Sequence, residues 1–91
     1  MTWDAYLSQF HQQRAGITEL VLGRCRDRHG ASPYDWLAEL VDDQGLPVLD
    51  LACGSAPLWP ALAGRGYLGV DRSAAELSVA AGRGAGPLVR A

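Results

Sequence analysis

Val48-Leu49-Asp50-Leu51-Ala52-Cys53-Gly54-Ser55-Ala56-Pro57 decides how this chain is read. It is a short apolar run that meets a carboxylate and passes into a turn of small residues. Further along, a second apolar run, Tyr67-Leu68-Gly69-Val70, also ends in an acid, Asp71. Strand, small-residue loop, helix, strand and acid, in that order, are the layout of a nucleoside-binding βαβ unit. A parallel crossover delivers its ligand to the carboxyl ends of the strands, and Asp50 and Asp71 both fall there. Small residues at 52, 54 and 56 let the backbone come close to a ligand, and Gly54 suits a positive φ.

Outward from this stretch, the elements follow from periodicity. Residues 46–51 read as a first strand, apolar nearly throughout and so expected to be buried on both faces, with Pro47 tolerated only at its start. A short helix over 58–63 carries Pro60 in its first turn. The second strand is 67–71. Ser73-Ala74-Ala75-Glu76 reads as a capping box opening a helix that dissolves over Gly82–Gly86, and Pro87-Leu88-Val89-Arg90 opens a third strand. Upstream, Trp3, Tyr6, Leu7 and Phe10 share one face of a helix over 2–14, with Thr2 as its cap. That aromatic stripe reads as packing against a larger body, or as a cover over a ligand pocket. A second helix spans 18–28 with Thr18 as cap, weakened by Gly23 and stopped by Gly30. Ser32-Pro33-Tyr34-Asp35 is a clear helix start. That helix runs to about Val41, and Asp42-Asp43-Gln44-Gly45 follows as a solvated loop. The fold class is therefore α/β: a helical lead-in over 1–45, then a Rossmann-like βαβα unit with parallel strands over 46–91.

Composition sets limits on function. The 91 residues fit one small domain, and 48% apolar with 20% charged residues is an ordinary globular balance. A formal net charge of −2 gives no electrostatic argument for nucleic acid or an anionic membrane surface. No run approaches the roughly 18 apolar residues of a membrane span, and no basic region precedes an apolar core at the N-terminus. Cys25 and Cys53 lack the spacing of a zinc site or redox pair, and His11 and His29 have no partner at metal-ligand spacing, so no metal site is expected. Reduced thiols in the cytoplasm are the expectation. Cys53 reads as a small buried filler rather than a nucleophile, and Trp59 as core. His11 and Arg14 reach a substrate only if the first helix closes over the pocket.

Two ligands compete for the central loop. A nicotinamide dinucleotide wants G-x-G-x-x-G with its pyrophosphate on a helix N-terminus. Pro57 or Trp59 stands where the third glycine is needed, and Asp50 at the loop base repels a pyrophosphate. S-adenosylmethionine has no phosphate. A carboxylate at the loop base suits its cationic end, and loop N–H groups suit its carboxylate. Asp71 suits the ribose of either ligand, because a carboxylate accepts two hydroxyls.

The loop Val48–Pro57 resembles the first motif of class I S-adenosylmethionine-dependent methyltransferases, and Gly69-Val70-Asp71-Arg72-Ser73 resembles the end of their second strand. The lead-in, with Tyr34-Asp35-Trp36-Leu37, is similar to that of their small-molecule branch. The resemblance implies that Ala52, Cys53, Gly54 and Ser55 wrap the methionine part of the cofactor. It implies that Asp50 orders the loop and meets the ammonium, that Asp71 binds the ribose hydroxyls and that Arg72 flanks the adenine. Ala56 departs from the family, which often has Gly there. The implied partner is a small-molecule methyl acceptor. No residue is assigned a catalytic role, because the family's substrate-facing segments follow later strands.

The family's sheet has seven strands with the first in the middle, and this chain supplies at most three. The first strand is then a bare apolar edge, which invites pairing. Three situations follow: a fragment of a longer methyltransferase, a chain that self-associates through its first strand, or a poorly folding remnant. The first is the reading adopted. A non-catalytic interaction module keeping the fold is the alternative function. A nicotinamide-dependent oxidoreductase ranks behind both.

Overall fold

A computed structural model describes residues 1–41 and 45–91. The expected loop at Asp42-Asp43-Gln44 lies outside the described residues. Among the described residues, the N-terminal part holds three helices, α1 (Trp3–Gln13), α2 (Ile17–Leu22) and α3 (Pro33–Glu39). The rest alternates β1 (Val48–Leu51), α4 (Trp59–Leu62), β2 (Tyr67–Asp71), α5 (Ala74–Gly82) and β3 (Leu88–Arg90). The three strands form one parallel sheet in the order β1-β2-β3. Asp50 lies opposite Gly69 in the first pairing, and Asp71 opposite Arg90 in the second. The chain is thus mixed α/β with a three-stranded parallel sheet and helices. No helix among the described residues is long and apolar enough to cross a membrane.

Local chemistry accounts for most element ends. Thr2 caps α1 through a hydrogen bond from the Ala5 N–H. Ser32 and Asp35 form a complete capping box at α3, with Pro33 in the first turn. Pro60 sits in the first turn of α4, where its missing N–H costs no helix bond. At α5 only half the expected box forms. Ser73 Oγ accepts the Glu76 N–H, but the Ser73 N–H donates to Asp71 Oδ1 instead of to Glu76.

The second helix is shorter than its expected 18–28 span. It starts after Gly16, whose φ of +82° suits glycine, so Thr18 is not its cap. It stops at Leu22 because the following chain turns around Asp27. That carboxylate accepts the N–H groups of His29 and Ala31 and the indole N–H of Trp36. A short acidic side chain that bonds nearby backbone offers the chain an alternative to helix.

The centre of packing is small. Ala56, Ala80 and Ala85 are buried together, with Trp59 and Leu88 against them. Trp59 meets Tyr67 edge-to-face at 5.1 Å. Gly69 is needed between the strands: a Cβ there would stand 2.8 Å from Leu88 Cδ2 and 3.0 Å from Cys53 Sγ. The first strand departs from burial on both faces. Among the described residues it pairs on one side only, with β2, and Leu49 and Leu51 are 57% and 68% exposed. The apolar edge expected for a three-strand sheet is therefore present.

Candidate cofactor site

The loop leaving β1 folds back on the end of β2. The Cys53 N–H donates to the Val70 carbonyl, which extends the strand pairing by one residue. Next, the Gly54 N–H donates to Asp71 Oδ2 at 2.8 Å. Ala52, Gly54 and Ala56 all have positive φ, at 57°, 55° and 60°. The chain thus enters the left-handed region at every second residue, a conformation that glycine adopts freely and that any Cβ opposes. This backbone path explains glycine at 54, whereas Ala52 and Ala56 each carry a Cβ into the left-handed region at a cost of about 1–2 kcal/mol.

Asp71 holds the arrangement together. Its Oδ2 carries the loop at Gly54 and its Oδ1 carries the first turn of α5 at Ser73, both at 2.8 Å. A carboxylate has about four acceptor positions, so two remain for hydroxyls of a ligand.

An open cleft of about 1280 Å³ lies at this end of the sheet. Ala52, Cys53, Gly54, Ser55, Asp71 and Arg72 all line it. Asp50 does not. Its carboxylate accepts the Tyr67 hydroxyl at 2.7 Å, and burial together with this bond raises the Tyr67 phenol above its ordinary range. Cys53 is buried. Its thiol is pushed up to about 11, first by burial and then by the carboxylates of Asp50 and Asp71, which keeps it protonated and unreactive. Ser55 is buried and turned toward α2, its hydroxyl donating to Glu19 Oε2 at 3.0 Å. Arg72 is exposed and pairs with Asp4 of α1 at 3.3 Å.

Several lining residues escaped the sequence reading. Glu19 of α2 faces the cleft and grips Arg83 at the end of α5 through two short hydrogen bonds, of 2.5 and 2.6 Å. The paired Glu19 carboxylate raises the Arg83 guanidinium further. Glu76 is buried at the cleft wall and accepts the Gly16 N–H and a contact from His11. Tyr34 lines the cleft too, its phenol raised by burial and by the charges of Glu19 and Glu76. Arg90 enters from the end of β3, its Nε donating to the Arg72 carbonyl. Only Arg90 carried a usable signal, as the last residue of a strand in parallel register with Asp71. The roles of Glu19 and Glu76 depend on partners more than thirty residues away in sequence.

The donor set bears on the pyrophosphate chemistry. A pyrophosphate needs free N–H groups at a helix start and a helix long enough to carry a dipole. Here α4 has four residues and no side-chain cap, and the Gly54 N–H is already held by a carboxylate. Three carboxylates, Asp71, Glu19 and Glu76, border the cleft together with the guanidinium groups of Arg72 and Arg90, and Glu19 is paired with Arg83. No family model matches the chain, and no match is found among curated proteins.

Proposed function

We propose that the cleft binds S-adenosylmethionine and that the chain supplies the cofactor-binding half of a small-molecule methyltransferase of class I. In this reading β1, β2 and β3 are one side of that family's seven-stranded sheet. When bound, the cofactor supplies an electrophilic methyl group on a sulfonium. Asp71 accepts the ribose hydroxyls while keeping its bonds to Gly54 and Ser73. The loop 52–55 presents backbone to the methionine part, and Arg72 borders the adenine. Asp50 acts from behind the loop: held by Tyr67, it places negative charge near the cation without lining the cleft.

The observation that carries the reading is the joining of the loop to the strand-end acid, Gly54 N–H to Asp71 at 2.8 Å, within a cleft bordered by carboxylates. A second reading, a binding module that pairs through β1, is favoured by the exposed Leu49 and Leu51 on the free edge.

Calorimetric titration of the purified chain with S-adenosylhomocysteine tests the proposal, with Asp71→Asn as control and circular dichroism to verify folding. Asparagine keeps the volume and one acceptor oxygen but lacks the charge. We expect saturable binding, weakened about tenfold or more in the control, since hydrogen bonds to a charged group are worth roughly 1.5–3 kcal/mol. Reduced nicotinamide dinucleotide should give no heat of binding. Binding of the dinucleotide but not of the homocysteine compound overturns the proposal.

A further inference from the structure

Glu76 is 4% exposed, the most buried acid of the described residues. An ionised carboxylate is costly to bury unless its oxygens are partnered. Because the Ser73 N–H is taken by Asp71, Glu76 is not used in its own cap and reaches across to the N-terminal helices. The Gly16 N–H donates to both its oxygens, at 3.0 and 3.2 Å, and His11 Nδ1 lies 3.1 Å from Oε1. A carboxylate only accepts, so this contact puts the neutral ring's proton on Nδ1 and leaves the lone pair on Nε2. Nε2 has no hydrogen-bond partner among the described residues, and His11 lines the same cleft as Gly54 and Asp71. Helix α1 contributes no buried residue, so this imidazole is not core.

We propose that His11 is a general base for the methyl acceptor, with Glu76 as its positioning residue. The inference rests on the cofactor reading above. A base with a free nitrogen in a cleft, its other nitrogen fixed by a buried carboxylate, is the arrangement that proton abstraction requires. The acceptor it fits is a small molecule with a hydroxyl on an apolar body. Leu7, Leu22 and the Tyr34 ring line the same cleft as His11 and offer apolar surface to such a body. Nε2 of His11 takes the hydroxyl proton while the oxygen–methyl bond forms and the methyl–sulfur bond breaks, its electron pair remaining on sulfur. The imidazolium so formed is paired with Glu76.

The test uses the whole chain and its two histidines. His29 is exposed, and its Nε2 contacts Arg28 Nε, so it serves as the internal reference. Long-range proton–nitrogen spectra at about pH 8.5, where ordinary imidazoles are neutral, should show His11 protonated at Nδ1 and bare at Nε2. Diethylpyrocarbonate should modify His11, and saturating S-adenosylhomocysteine should slow that modification about tenfold while leaving His29 unchanged. Glu76→Gln, which removes the charge facing the imidazolium, should lower His11 modification severalfold. The Nε2–H tautomer at His11 overturns the inference, and so does unprotected His11 when the homocysteine compound is bound. Failure of that compound to bind removes the cofactor reading and the base role with it. The wild-type tautomer still reads the dyad by itself, so the two failures are distinguishable even if Glu76→Gln does not fold.

Discussion

Ala52 and Ala56 carry the same backbone requirement in different surroundings. Both have left-handed φ, but Ala52 is exposed and Ala56 is fully buried with Ala80 and Ala85. An L-residue in that region costs about 1–2 kcal/mol, and glycine relieves this at a chain-entropy cost of roughly 0.5–1 kcal/mol. Ala52→Gly should therefore be neutral or mildly stabilising. Ala56→Gly also gives up a buried methyl worth about 0.8 kcal/mol. Urea denaturation should place Ala56→Gly about 1 kcal/mol below Ala52→Gly in stability, and equal midpoints would contradict the packing role of Ala56. At this scale the sequence was informative: small residues at 52, 54 and 56 and acids at 50 and 71 marked the loop and both strand ends. It did not reveal that Asp50 turns to Tyr67 and away from the cleft, because cross-strand placement of Tyr67 decides that.

Elements were legible where their signals are local. The box at Ser32 and Asp35, the strand at 67–71 and the third strand at Leu88–Arg90 all lie where cap chemistry and apolar runs place them. Ser32→Ala should cost about 1 kcal/mol of stability, measured by thermal or urea unfolding. It should also alter the acid limb. The Ser32 backbone and side chain hold the Asp35 carboxyl below its ordinary value of 3.8. A lowered carboxyl contributes stability above its unfolded value and loses it as pH falls through the folded one. The variant should therefore lose less on acidification than the wild type. Elements were misread where a remote or competing group decides. Asp27 collects three donors and ends α2 early, and Asp71 takes the N–H that would complete the box at Glu76.

Across the whole molecule, burial is modest. The accessible surface is 6142 Å², against about 5100 Å² expected for a compact chain of this mass. Much of the exposed apolar surface lies along β1 and α3, at Leu49, Leu51, Trp36, Leu37 and Leu40. Burial of an apolar strand on both faces could not be judged from its composition, because exposure depends on which strand pairs beyond it. Leu49→Lys with Leu51→Lys should leave circular dichroism unchanged and reduce concentration-dependent light scattering, since lysine on an edge opposes pairing. Loss of fold in that variant would show that the edge supports the core. The helical lead-in is joined to α5 and to the loop after β1 by polar ties, Glu76 to Gly16 and Glu19 to Arg83 and Ser55, and these residues border the cleft. The central claim is that this cleft, and no other surface, holds an adenosyl cofactor between the loop and Asp71. Amide chemical-shift mapping of the labelled chain during addition of S-adenosylhomocysteine tests it most directly. The account predicts saturating shifts concentrated at Ala52–Ser55 and Asp71–Ser73, with smaller ones at His11 and Tyr34. Shifts confined to other surfaces, or none from a folded chain, would contradict it.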